Sequence, residues 1–220
     1  MSPRSVRACA LSLAALWLTG CPDPGGEFDA FTRRAGTRTT DAGMLSCESA
    51  EGELPEPEQL SGQFLLSVST ILGRETPFVY LLDVEVARED GSYQITMSAT
   101  PLLASDRKTP AGEASEPQSF TVEPNGCFES PPQTFMVAGP ANPILPVPAT
   151  SELSFLGSVA SAVRDDEGRV TFWCGQVNGR AISPLPMPID GSTFAATRIV
   201  DPDALPPVVI DCDMTPARPL

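Results

Sequence analysis

Alternation of apolar and polar residues, combined with a high proline content, constrains the fold of this chain more than any other feature. Apolar residues recur at every second position in segments 64–68, 80–86 and 95–99, which is the period of a β-strand with one buried face. No segment keeps a 3.6-residue period, and the 24 prolines oppose long helices because proline lacks the N–H that a helix needs. The sequence therefore predicts an all-β fold.

Shorter patterns extend this prediction along the chain. Further strands are expected near residues 120–122, 135–138, 153–163, 170–177, 180–183 and 192–200. Asp90-Gly91, Asn125-Gly126 and Asn178-Gly179 are typical of hairpin turns, since these residues tolerate a positive φ, and residues 165–168 predict a further turn. We expect eight to ten antiparallel strands in up-and-down order, with the last strand meeting the first. Either a closed barrel or a two-sheet sandwich satisfies this pattern.

The expected strand number and order resemble those of lipocalin-like barrels, and we favour the barrel for that reason. The resemblance does not extend to the Gly-x-Trp signature near the first lipocalin strand, because this chain has Gly62-Gln63-Phe64 there. Phe155, Phe172 and Trp173 are candidates to line a ligand cavity, although inward aromatic residues of a β domain commonly form its core.

The first 21 residues form a second recognisable pattern, a basic start followed by an apolar run. Arg4 and Arg7 precede the apolar residues 8–18, and the run ends in Leu18-Thr19-Gly20-Cys21. A helix of that length rises about 17 Å, whereas the apolar core of a bilayer is about 30 Å thick. The run is therefore too short to span a membrane.

This arrangement resembles the signal of bacterial lipoproteins. The resemblance implies that residues 1–20 are a cleaved signal peptide and that Cys21 becomes an N-terminus carrying acyl chains such as palmitate, two or three of which hold a protein stably on a membrane. In the lipoproteins of enteric bacteria, an Asp directly after the lipidated cysteine is the signal for retention in the inner membrane. This chain has Pro22 at that position, so the resemblance predicts the outer membrane. An ordinary secretory signal, which would leave Cys21 as a plain thiol, is the alternative.

The rest of the chain consists of three segments that differ in composition. Residues 21–60 are dominated by Pro, Gly, Thr, Asp and Glu, and such a segment buries too little apolar surface to offset the entropy of ordering it. We therefore expect a flexible tether over residues 21–60, a β domain over residues 61–213 and a short C-terminal tail over residues 214–220.

The cysteines predict a disulfide framework. Cys9 leaves with the signal and Cys21 takes lipid, so an even set remains for an exported and oxidising setting: Cys47, Cys127, Cys174 and Cys212. Their wide spacing disfavours a zinc site, which needs close pairs such as C-x2-C. Three pairings are possible, and we favour Cys47 with Cys212 and Cys127 with Cys174, since the outer two flank the patterned region and chain ends commonly lie close together.

Charge and the absence of histidine narrow the functional classes. Removing Arg4 and Arg7 with the leader takes the net charge from −14 to −16, and such a surface repels nucleic acid and anionic lipid head groups. Without histidine there is no Ser-His-Asp or Cys-His arrangement and no histidine-bound zinc. We expect no cofactor, no metal and no nucleic-acid partner; a protein or a small hydrophobic ligand stays open.

Three local patterns resemble motifs that carry chemistry. Ser105 and Lys108 match the S-x-x-K pattern of penicillin-binding proteins, but without its Lys-Thr-Gly companion. Asp83 and Glu85 lie two apart on one strand, a spacing compatible with acid and base on a glycoside, yet on the face opposite the apolar residues. The acidic residues 165–168 lack the alternation of a calcium loop. We therefore predict a non-catalytic, lipid-anchored binding or structural module; an exported enzyme that acts on glycans through carboxylates is the alternative.

Overall fold

The computed structural model describes residues 53–89 and 92–220. Over these residues the chain is almost entirely β structure, as the alternating pattern predicts. The elements in chain order are the short helix α1 (Pro57–Leu60), strands β1 (Gly62–Ser69), β2 (Phe78–Glu89), β3 (Ser92–Pro101), β4 (Gln118–Val122), β5 (Cys127–Glu129) and β6 (Gln133–Val137), a 3-10 turn (Gly139–Ala141), and strands β7 (Ala149–Ser158), β8 (Val163–Arg164), β9 (Val170–Ser183), β10 (Met187–Pro188) and β11 (Ser192–Arg198).

The strands form one antiparallel sheet that nearly closes into a barrel. Its order is β4-β3-β2-β1-β11-β9-β7-β5, with β6 also on β7 and with β8 and β10 on β9. The last strand meets the first, since Phe64 lies opposite Arg198 and Ser69 lies opposite Thr193. The sheet ends, β4 and β5, are consecutive in the chain, and the amide of Glu123 donates to the carbonyl of Cys127 at 2.7 Å. The predicted up-and-down barrel is thus confirmed in preference to the sandwich.

Two of the predicted turns are present, and one is not. Gly126 and Gly168 have φ of +86° and +80° in their turns. The predicted hairpin at Asn178-Gly179 is wrong, because β9 continues to Ser183 and Gly179 lies opposite Leu153 of β7. A Cβ on Gly179 would lie 2.0 Å from the Glu152 carbonyl oxygen, so glycine is required here by close strand contact. The Asp90-Gly91 turn lies outside the described residues.

The barrel interior is filled by side chains. Phe64, Phe128 and Phe194 are almost completely buried. Each of their rings contacts the Trp173 ring in an edge-on or tilted arrangement, with centroids 5.5–6.1 Å apart. Only a void of about 10 Å³ separates Trp173 from the neighbouring core side chains. Phe155 and Trp173, both candidates for a cavity lining, are therefore core residues.

Phe172 does not belong to that interior. It precedes Trp173 on β9 and is not a member of the core cluster, as expected because successive strand residues point to opposite faces of a sheet. The grouping of Phe172 with the inward aromatic residues is wrong for this reason.

The C-terminal segment, residues 199–218, covers part of the outer face of the barrel. It forms a second apolar cluster made of Leu65, Val79 and Leu102 with Leu81, Ile199, Leu205 and Val208. Thr193 donates through Oγ1 to the Ile210 carbonyl at 2.6 Å, and the amide of Ala217 donates to the Val208 carbonyl at 2.9 Å. This cover explains why β1 is buried on both faces from Phe64 to Ser69.

The disulfide pattern differs from the favoured pairing. Cys174 of β9 is bonded to Cys212 of the C-terminal segment, with Cα atoms 5.3 Å apart. Cys127 is disulfide-bonded as well, so it is not the partner of Cys174, and Cys47 lies outside the described residues. Proximity of the chain ends was a poor guide, because the segment containing Cys212 lies over β9 and β11 on the barrel wall.

The domain also begins earlier than the composition suggests. Leu60 is fully buried and Pro55 is among the most buried side chains, although both fall in the segment predicted to be a tether. Arg198 of β11 donates to the carbonyl oxygens of Gln59 at 2.7 Å and Ser61 at 3.0 Å. These bonds hold α1 against the end of the barrel at which β1 begins.

Candidate functional site

A concave apolar feature lies at the opposite end of the barrel, where β1 and β9 end. We call it the end pocket. Its volume is about 70 Å³, and it is lined by Val68, Thr70, Leu72, Phe78, Tyr80, Val137, Asn142, Ile144, Leu145, Ala149, Thr150, Ser151, Leu153, Ala181, Ser183, Pro184, Leu185 and Ile189. Strand ends supply its wall, and three loops supply its edge.

Aromatic residues close the bottom of the end pocket. Tyr80 is 4% exposed, and its ring packs edge-on against Phe135 with centroids 6.2 Å apart. Phe135 in turn contacts Phe155 at 5.8 Å, which belongs to the filled interior. Burial raises the pKa of the Tyr80 phenol well above its ordinary value, so this hydroxyl stays protonated throughout the physiological range. The end pocket is therefore bounded below by the aromatic side chains of the filled interior.

The edge of the end pocket contains three exposed leucines. Leu72 and Leu145 are each 38% exposed, and Leu185 is 58% exposed. They come from three different loops, yet all three line the same pocket. Apolar residues grouped around a concavity are a feature of binding sites, whereas single exposed apolar residues are ordinary.

One polar group of the lining has no partner among the described residues. Thr70 is 6% exposed, and its Oγ1 atom is buried and makes no hydrogen bond. Asn142 in the same lining is satisfied, since its Oδ1 accepts from the Ile144 amide and its Nδ2 donates to the Val147 carbonyl. An unpaired buried hydroxyl costs about 1–3 kcal/mol, so Thr70 carries a local cost to stability.

The paired carboxylates of the sequence analysis lie elsewhere. Asp83 and Glu85 are exposed on the outer face of β2, and the Asp83 Oδ1 atom accepts from the Gln63 side chain at 2.8 Å. The structure therefore places both carboxylates on the convex outer wall of the barrel, away from the end pocket.

The S-x-x-K segment forms a tight polar turn. Asp106 accepts from the side chain of Thr109 at 2.6 Å and from the amides of Lys108 and Thr109 at about 3 Å. The Thr109 hydrogen bond, followed by the amide bonds, lowers the pKa of Asp106 below its ordinary value. These hydrogen bonds explain why the segment contains Asp106 and Thr109, since both stabilise the turn. Ser105 is exposed beside it.

The acidic turn at residues 165–168 is likewise explained locally. Asp165 accepts from the amides of Glu167 and Arg169 and from the Arg169 side chain. Desolvation raises the pKa of Asp165, but the hydrogen bonds from Arg169 outweigh it, and the net shift is downwards. In residues 53–89 and 92–220, no group of three or more His, Cys, Asp or Glu side chains is placed to hold a metal ion.

Neither a known protein family, nor a curated protein, nor a solved structure matches this chain. No helix within the described ranges is both long and apolar enough to cross a bilayer. Only the structure of this chain therefore indicates where a candidate site lies.

The end pocket is not evident from the sequence. Leu72, Leu145 and Leu185 lie 73 and 40 positions apart in loops, and a single apolar residue in a loop carries no functional signal. Arg198 was also missed, because an isolated arginine near a strand end does not reveal which carbonyl groups the fold brings around it.

Proposed function

We propose that this protein is an exported, lipid-anchored module of the cell envelope that acts by binding another macromolecule and not by catalysis. The observation that carries the proposal is the filled barrel. Its aromatic core leaves a void of about 10 Å³ where a carrier of hydrophobic molecules needs a cavity of ligand size. What stays open to other molecules is the surface, and the end pocket is an apolar concave part of it.

The lipid anchor in this proposal rests on the resemblance of residues 18–21 to a lipoprotein signal. Cys21 lies outside the described residues, as do the signal peptide and most of the predicted tether. A disulfide between Cys174 and Cys212 supports export, because such bonds persist in oxidising compartments. The outer membrane is proposed from Pro22 on the same resemblance.

The competing function is a glycan-acting enzyme that uses Asp83 and Glu85. Glycosidases place two carboxyl groups on either side of the scissile bond, which needs a groove between them. Here both carboxylates lie on one convex face. The geometry therefore favours binding over hydrolysis.

The two functions are separated by assaying residues 21–220, carrying Cys21→Ser, against cell-wall polysaccharides. We expect no turnover, and we expect the Asp83→Asn, Glu85→Gln double variant to fold with a stability within about 0.5 kcal/mol of the parent, since exposed substitutions are usually that mild. Turnover that disappears in the double variant while its circular dichroism is unchanged would establish the enzyme instead.

A further inference from the structure

We propose that the C-terminal segment, residues 199–218, is a redox-controlled cover of the barrel wall. The disulfide between Cys174 and Cys212 holds this cover closed, and a dithiol that reduces the bond releases it while the barrel stays folded. The end pocket plays no part in this device.

A row of small side chains crosses the barrel wall beneath the C-terminal segment. Ser67 of β1 lies opposite Val79 of β2 on one side and opposite Ala195 of β11 on the other. Ala195 in turn lies opposite Cys174 of β9. All four side chains point outwards, because residues next to them in the strands belong to the main core and successive strand residues alternate between faces. The segment that ends this row at Cys212 therefore lies across four neighbouring strands.

Few hydrogen bonds join the C-terminal segment to these strands. The Ser67 hydroxyl donates to the Val209 carbonyl, and the Thr193 hydroxyl donates to the Ile210 carbonyl at 2.6 Å. Within residues 53–89 and 92–220, no strand of the sheet is paired with the chain beyond β11. The segment therefore lies on the sheet without being part of it, and the disulfide is a covalent link added to a small set of weaker contacts.

Release of the segment leaves the barrel interior intact. The apolar residues beneath it form a cluster separate from the main core: Leu65, Val79 and Leu102. The Ser67 hydroxyl also has a second acceptor within the sheet, the Ala195 carbonyl at 3.3 Å, so it keeps a partner when the Val209 carbonyl moves away. Opening therefore exposes an apolar strip of the outer wall without breaking the aromatic core.

Both the disulfide and the chain that leads to it lie at the surface. Cys174 and Cys212 are only partly buried, so a small dithiol reaches the bond between them. Reduction breaks the S–S bond and adds two electrons and two protons, which gives two thiols, while the dithiol is oxidised to a disulfide. Val200 is 82% exposed and residues 201–204 are exposed as well, so the chain can change direction there without disturbing the packing.

The test compares the mature chain, residues 21–220 carrying Cys21→Ser, with a latch variant that also carries Cys174→Ser and Cys212→Ser. Hydrogen exchange is measured at the Ile210 amide, which donates to Thr215 within the segment, and at the Arg218 amide, which donates to the Glu75 carbonyl at 2.8 Å. We expect both amides to exchange at least about 100-fold faster in the latch variant, because a disulfide across a separation of 38 residues favours the closed chain by about that factor or more.

The same experiment shows whether the segment opens on its own. In the latch variant its amides should exchange at least about tenfold faster than those of β1 and β11, as expected for a local opening, and the near-UV circular dichroism of Trp173 should be retained. Unchanged exchange of the segment, exchange of segment and strands at one common rate, or loss of the Trp173 signal would each overturn the proposal.

A matched control assigns the response to this disulfide. Cys127 is disulfide-bonded as well, so the control carries Cys47→Ser and Cys127→Ser and keeps only Cys174 and Cys212. Its segment amides should accelerate at least about 100-fold in dithiothreitol and recover after oxidation by glutathione disulfide. A control that does not respond to the dithiol would refute the redox control.

Ser67→Ala tests the hydrogen bond from the sheet to the segment. In the latch variant it should accelerate exchange at Ile210 a further several-fold, because the bond to the Val209 carbonyl is lost. In the oxidised parent the disulfide keeps the segment closed, so the same substitution should change this exchange far less. An equal effect in both backgrounds would contradict the role of the disulfide as the latch.

Discussion

Replacing Arg198 by methionine tests how the barrel is closed at the end opposite the pocket. The guanidinium donates to the carbonyl oxygens of Gln59, Leu60 and Ser61 at 2.7, 3.2 and 3.0 Å and also to Val170. It stacks on the Phe64 ring at 4.6 Å. Methionine keeps an apolar stem over that ring and removes every one of these donors.

The magnitude follows from the number and quality of these bonds. A hydrogen bond to a charged group contributes about 1.5–3 kcal/mol, and a cation over an aromatic ring contributes about 0.5–1 kcal/mol. Arg198 is partly buried, and desolvation lowers the pKa of its guanidinium, so part of this gain is offset and water can replace some of the bonds. We expect a loss of about 3 kcal/mol, which lowers the melting temperature of a domain of this size by about 6–12 °C.

Arg180→Met provides the matched control. Arg180 pairs with Glu152 at 3.0 Å, with side chains that are 67% and 39% exposed, and such pairs contribute about 0.2–1 kcal/mol. Thermal unfolding of both variants should separate them by at least about 4 °C, and hydrogen exchange at the Ser61 amide, which donates to Pro57 within α1, should accelerate only in Arg198→Met. Equal melting temperatures for the two variants would refute the closure argument.

Two further predictions concern the cysteines. Cys21→Ser should move the protein from the detergent phase to the aqueous phase in a partitioning assay, because acyl chains on Cys21 are the proposed anchor; equal aqueous recovery of parent and variant would contradict lipidation. Peptide mapping of the unreduced mature chain should join Cys127 to Cys47, since Cys174 and Cys212 are bonded to each other and Cys127 is disulfide-bonded; a Cys127 peptide linked to any other residue would exclude this pairing.

Patterns between near neighbours in the chain were sufficient for the fold class. In β2 and β3 the inward positions are buried as the alternation predicts, from Tyr80 to Val84 and from Tyr93 to Ala99. The outward phase of Asp83 and Glu85 follows from the same rule. Local turn chemistry identified Gly126 and Gly168, because both the residue type and its backbone angle are set by a few adjacent residues.

Local patterns were misleading where a distant segment alters the environment of a residue. Asn178-Gly179 has turn chemistry, but the close approach of β7 makes Gly179 part of a long strand. The composition around Leu60 predicts a tether. In the structure Leu60 belongs to the folded domain, because Arg198 donates a hydrogen bond to its carbonyl oxygen.

By itself, the sequence determined that the domain is antiparallel β structure with strands in up-and-down order, because side-chain period and turn residues act over two to four positions. Only the tertiary structure decided which cysteines pair, which face the C-terminal segment covers and where the apolar pocket lies. Each of these depends on residues tens of positions apart, and the side-chain pattern along one strand carries no information about which distant segment will pack against it.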